Sequence, residues 1–216
     1  MKNFLQSKKI VPLLILAGMV VGLAGCTLLP VEEPLKVYVL SPPVVRPQGS
    51  ACECILRIHT PAASGVLNGS SIAVMPAPQQ LSVYKGVRWN ANLPRMLHDY
   101  LITSFRASQS LQAVLGDDYS VAGDYALNMD LRAFQSSYVH DPGNGGNPLV
   151  EVGIDAQLVD THAHRILAQR SFRLQEPSSG TEVDAVVNAF NRAASSLSRQ
   201  LLEWSVATIK LSCMSP

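Results

Sequence analysis

Three stretches in the second half of the chain alternate apolar with polar residues, a period that fits strands and not helices. Over residues 125–134, Tyr125, Leu127, Met129, Leu131 and Ala133 fall on one side and Asn128, Asp130 and Arg132 on the other. Residues 150–159 continue the alternation through Val152, Ile154, Ala156 and Leu158, and residues 166–174 take it up again after a turn at 160–164. A side-chain period of two with one polar row describes a sheet that has one wet face. The connections, 140–148 with its Gly, Asn and Pro and the turn Asp160-Thr-His-Ala-His164, suit returns between neighbouring strands. The sequence therefore predicts a meander of three long antiparallel strands.

A sheet with one apolar face must be covered on that face. Two segments carry the helical period needed to cover it. Over 92–107, Leu93, Met96, Leu97, Tyr100, Leu101, Ser104 and Phe105 recur at spacings of three and four, with Asn92 as the expected cap and Pro94 tolerated in the first turn. Gly180-Thr181-Glu182-Val183-Asp184 resembles a capping box, with Thr181 capping and Asp184 reaching back. The helix it opens lines up Val183, Val187, Phe190, Ala194, Leu197, Leu201 and Trp204. Shorter strands are expected at 37–40, 54–58, 71–75 and 81–84, punctuated by Pro42, Pro43, Pro47, Pro61, Pro76 and Pro78, and 111–115 is a short apolar piece. The expected class is α+β, a mainly antiparallel or mixed sheet with two amphipathic helices packed against it. Trp89 and Trp204 are expected to anchor the helices to the core, and Trp89 is also a candidate for a partner or lipid contact.

The N-terminus says where such a domain works. Leu23-Ala24-Gly25-Cys26 resembles a lipobox, preceded by Lys2, Lys8 and Lys9 and an apolar run from Ile10 to Leu23. That run is shorter than the ~20 residues needed to span a bilayer, so it reads as a signal segment. Residues 1–25 are then a lipoprotein signal peptide, 26–35 a lipidated tether and 36–216 a single domain. Diacylglycerol on the Cys26 sulfur plus an N-acyl chain such as palmitate gives at least two chains, enough for stable anchoring. Thr27, where Asp would favour inner-membrane retention in bacterial lipoproteins, points to the outer membrane, facing the periplasm. A ten-residue tether reaches about 35 Å at most, which keeps the domain near the membrane.

Removing Lys2, Lys8 and Lys9 leaves fourteen basic against sixteen acidic residues, a formal charge of −2 that argues against a nucleic-acid partner. Cys52, Cys54 and Cys213 remain in a compartment that permits disulfides. A bridge between Cys52 and Cys54 would be strained, so one of them is expected to pair with Cys213; three free thiols or an intermolecular bridge are the alternatives. Cys-x-Cys has no second ligand pair at zinc spacing. The chain carries no Gly-x-Ser-x-Gly, no phosphate-cradling glycine loop and no His-Glu-x-x-His. His162 and His164 read as solvated turn residues, and Asp117, Asp118 and Asp124 as turn and strand-entry residues. No catalytic residue, metal or cofactor is predicted.

Several pieces together resemble the ABC-type transport auxiliary lipoprotein family, which includes the paraquat-inducible protein C type lipoproteins of MCE-associated systems. They are the lipobox followed by Tyr38-Val39-Leu40, Ser71-Ile72-Ala73-Val74-Met75-Pro76-Ala77-Pro78, and Val87-Arg88-Trp89 leading through Leu93-Pro94 into a helix. Asp124-Tyr125-Ala126-Leu127, Leu131-Arg132-Ala133-Phe134 and Ile166-Leu167-Ala168-Gln169-Arg170-Ser171-Phe172 complete the set. The resemblance implies a non-enzymatic component that works with an MCE-domain protein and inner-membrane ABC permease and ATPase subunits on lipids or other hydrophobic compounds. It also leaves room for a homo-oligomer, because some relatives form rings. The alternative of a different class is a structural envelope lipoprotein that stabilises a periplasmic assembly without handling lipid. A periplasmic hydrolase ranks last.

Overall fold

The structure is a computed structural model, and it describes residues 34–41, 52–138 and 146–214. The signal segment, Cys26, most of the tether, the prolines at 42, 43 and 47 and residues 139–145 of the long loop lie outside the described residues. The strands are β1 (Lys36–Tyr38), β2 (Cys52–Ile58), β3 (Ser71–Ala77), β4 (Gln80–Trp89), β5 (Leu111–Leu115), β6 (Tyr125–Ser137), β7 (Leu149–Asp160) and β8 (Arg165–Pro177). Helix α1 (Leu93–Ser108) lies between β4 and β5, and α2 (Val183–Met214) follows β8. Together these form an α+β fold in which a mixed sheet is backed by two helices, as the sequence predicts.

The meander is present: β6 pairs antiparallel with β7 from Tyr125↔Asp160 to Ser137↔Leu149, and β7 with β8 from Leu149↔Pro177 to Asp160↔Arg165. The opposite edge of β6 is shared by two strands laid end to end. β2 runs parallel to its first residues, Leu56↔Tyr125 to Ile58↔Leu127, and β3 parallel to its last, Ala73↔Gln135 to Met75↔Ser137. Between them Ala62 bridges the gap, its N–H donating to Met129 O at 2.8 Å and its carbonyl accepting from Leu131 N–H at 2.8 Å. β5 extends the sheet beyond β2 and β4 then β1 beyond β3, with β1 parallel to β4. The apolar piece at 111–115 is thus strand β5.

One detail of β6 departs from the alternation. Its register slips between Leu131 and Ala133, so the buried face passes from Leu131 to Phe134 and Ser136. A bulge inserts one residue and reverses the alternation beyond it, so Ala133 no longer continues the row of Leu131. Ala133 instead faces Gly153, where an added Cβ would stand 3.2 Å from the Ala133 Cβ.

Trp89 ends β4 fully buried, edge-on to Phe134 at 5.8 Å and to Phe190 at 5.5 Å, while Phe134 and Phe190 stack at 4.7 Å. The ring is therefore core in this fold and not an exposed partner or lipid contact. Its indole Nε1–H finds no acceptor among the described residues, which fits a side chain retained for its apolar area. Trp204 is half-buried and meets Phe172 edge-on at 5.7 Å. α2 packs over β7 and β8, and a buried hydrogen bond from Ser198 Oγ to Ser104 Oγ at 2.5 Å joins it to α1.

Both helix starts differ from expectation in how they are satisfied. Asn92 occupies the cap position of α1 without a side-chain hydrogen bond, and Leu93 N–H donates to Gly69 O at 2.9 Å instead. At α2 the first intrahelical bond runs from Val186 N–H to Glu182 O, and the Asp184 carboxylate accepts from Tyr38 Oη at 2.6 Å rather than reaching back.

Candidate interaction surface

The helix-free side of the sheet is where the polar rows of β6, β7 and β8 gather. Pairing places Asp130 opposite Asp155 and Asn128 opposite Gln157, with Ser171 and Gln169 next in line on β8. The bulge turns Arg132 onto this group: its Nε donates to Asp155 at 2.7 Å and its Nη2 to Asp130 at 3.1 Å. Ser171 Oγ donates to the other Asp155 oxygen at 2.6 Å. That hydroxyl first, and Arg132 beside it, hold the Asp155 carboxyl below the usual carboxylate range. Arg173 pairs with Glu151 at 3.3 Å on the same face. Two shallow depressions of ≈ 360 and ≈ 310 Å³ open here and share Asp130, Asp155 and Gln157. The walls of the larger are mostly polar and those of the smaller are mixed, so the larger suits a hydrated polar surface of a partner better than an acyl chain.

At one end of this face the β5–β6 loop is clamped to β2. The Arg57 guanidinium donates to Gly116 O at 2.8 Å, to Tyr119 O at 2.9 Å and to Val121 O. Asp117 accepts from Thr60 N–H at 2.8 Å and Thr60 Oγ1 at 2.7 Å and meets His59 Nδ1 at 2.6 Å. Burial pushes its carboxyl up, but the two Thr60 donors and His59 outweigh it and bring it down to about 2. Asp124 accepts from Ile55 N–H at 2.8 Å and meets His162 Nε2 at 3.1 Å, with its carboxyl held low by that amide first. Asp117, Asp124 and His162, read from sequence as turn residues, thus tie loop and strand together, while Asp118 accepts from Arg95 of α1 at 3.2 Å. No group of three His, Cys, Asp or Glu residues able to hold a metal occurs among the described residues.

The three cysteines of the domain are free thiols, so the expected bridge to Cys213 is not formed in the structure. Cys213 Sγ instead meets Tyr125 Oη at 3.4 Å, a contact that with burial raises the phenol to about 12. Cys54 is buried, and burial first, then its contact with Cys52, pushes its thiol up.

The opposite corner of the sheet, at β1 and β4, has a different surface. Tyr38 and Leu40 turn toward the helices and Leu35 and Val37 to the other side, about half exposed at 51% and 48%, while Val39, 54% exposed, borders a depression with Met96, Asp99, Tyr100 and Thr103 of α1. Paired residues share a face, and the pairs Val37↔Arg88, Ser71↔Arg88 and Ala73↔Val83 put exposed Val83 on that same helix-free side. Leu81, two residues before Val83, is also exposed. Sequence reading identified the strand at 37–40 but not which parity faces outward.

A helix-backed mixed sheet with a polar open face and an apolar corner defines a two-layer α+β domain built around exposed surfaces. The chain belongs to the ABC-type transport auxiliary lipoprotein component family, whose model matches residues 38–201, more than half of the chain. The crystal structure of protein XCC0632 from Xanthomonas campestris, assigned to DUF330, superposes with a TM-score of 0.75 at 27% identity, covering 83% of this chain and 100% of that one. A second crystal structure, of an uncharacterized protein, shares the fold with a TM-score of 0.60 at 14% identity, covering 79% and 98%. Protein bll6063 of Bradyrhizobium diazoefficiens is 24% identical over 169 residues, 78% of this chain but 44% of that protein, so the chain spans less than half the length of this relative.

Proposed function

We propose that this chain is a non-catalytic auxiliary component of an ABC/MCE-type transport system for lipids or other hydrophobic compounds. It is anchored by acyl chains on Cys26 to the periplasmic face of the outer membrane. The observation that carries the reading is the family match over 38–201, which begins twelve residues after the lipobox-like Leu23-Ala24-Gly25-Cys26. The surfaces described above agree with a docking role. Salt-bridged and hydrogen-bonded polar side chains on the open face suit reversible contact with a hydrated partner such as an MCE-domain protein. The inner-membrane ABC permease and ATPase would then be reached through that partner.

Crosslinking the acylated protein in envelope membranes, followed by mass spectrometry, is expected to recover an MCE-domain protein together with ABC subunits and phospholipid. Recovery of other envelope proteins without lipid would overturn the transport reading in favour of a structural lipoprotein.

A further inference from the structure

We infer that the helix-free face of the β1–β4 corner is a membrane-contact surface that lies on the lipid interface holding the acyl chains of Cys26. This rests on the reading that Cys26 is acylated. Three observations lead to it. First, Leu35 and Val37 at the edge strand, with Val83 and Leu81 of β4 at the same corner, form a row of exposed aliphatic side chains. Grouped exposed aliphatics mark contact sites, whereas scattered ones do not. Second, Leu35 is nine steps along the chain from Cys26, which span about 32 Å at full extension. The row therefore stays within reach of the bilayer whatever path the tether takes. Third, Lys85 and Arg88 belong to this corner of β4 and no acidic residue lies within 34–41 or 80–89, while the chain after Cys26 is net acidic. Aliphatics flanked by basic residues match the chemistry of an interface that contains anionic headgroups, where apolar burial and electrostatic attraction add.

On the other side of β1, Tyr38 Oη donates to Asp184 and Ser41 N–H donates to Asn191 Oδ1 at 2.7 Å, so the strand is fixed to α2 through its inward face. The outward row is thereby presented by a rigid strand. Contact here would hold the domain at a set orientation on the bilayer rather than leave it swinging on its tether.

The test is a fluorescence measurement on the acylated mature protein reconstituted in vesicles of phosphatidylethanolamine and phosphatidylglycerol whose acyl chains are brominated. Val37→Trp and Val83→Trp report on the row, and Ile166→Trp, at a position 56% exposed on β8, is the control. The expected result is blue-shifted emission, quenched at least twofold by brominated lipid, for both row variants and little change for the control. Acylation is read independently from the mass of the N-terminal peptide. An acylated, vesicle-bound protein whose row variants are quenched no more than the control overturns the surface contact alone. A chain without acyl groups overturns the anchor reading and the contact with it. Row variants that shift blue without lipid, in step with a concentration-dependent rise in mass, assign the corner to a second copy of the chain and also overturn the contact.

Discussion

Gly123 shows how little room the clamp at the base of β6 leaves. A Cβ there would lie 3.0 Å from Arg57 N and 3.0 Å from Tyr125 O, both backbone atoms that cannot rotate away. One methyl group would have to push β2 from the entry of β6. Gly123→Ala is expected to destabilise the domain by about 1–3 kcal/mol, the usual cost of overpacking, seen as a lower denaturation midpoint in urea. The same site explains why residue reading was only partly informative. Asp117 and Asp124 were legible as residues of turns and strand entries, but their acceptor roles toward Thr60 and Ile55 depend on residues 57 and 69 positions away. Chemistry that is set by partners so distant leaves no mark in local sequence.

At the level of elements, the β5–β6 loop is held by Asp117, and its carboxyl ties stability to pH. The folded value is about 2 against an ordinary 3.8, so the contribution is fully present above about 4 and fades as pH falls toward 2. Asp117→Asn is expected to lower the melting temperature at neutral pH and to flatten its fall between pH 5 and 2. An unchanged acid slope in the variant would assign that slope to other carboxylates. Elements defined by local period were readable: β6, β7, β8 and both helices all stand where alternation or three-and-four spacing put them. The bulge in β6 was not, because a slip of one residue lies in the partner's register and not in the strand's composition. The parallel partners of β6 were hidden for a similar reason. An apolar strand such as β2 or β3 carries its own orientation to the core, but nothing that names its neighbour.

Across the whole molecule the two layers are locked where Trp89 of β4, Phe134 of β6 and Phe190 of α2 meet. Phe134 is fully buried in the ring cluster, so Phe134→Ala removes contacts to both layers at once. A loss of about 3–5 kcal/mol is expected, a large share of the 5–15 kcal/mol typical of a domain, and thermal unfolding by circular dichroism reads it. The α+β class was readable at this scale because amphipathic helices and a one-sided sheet have few ways to cover each other. The two surfaces were less readable, since alternation states that Val37 and Tyr38 face apart but not which faces water.

The sharing of one β6 edge between β2 and β3 bears on how the chain must be made. Synthesis delivers residues 52–77 long before residues 125–137, so for some fifty residues of growth β2 and β3 exist without the strand that aligns them. Until then β3 can pair with β4 and β2 with β5, but the two halves lack the strand that joins them. The two halves of the sheet can thus be joined only once the sixth strand has been made.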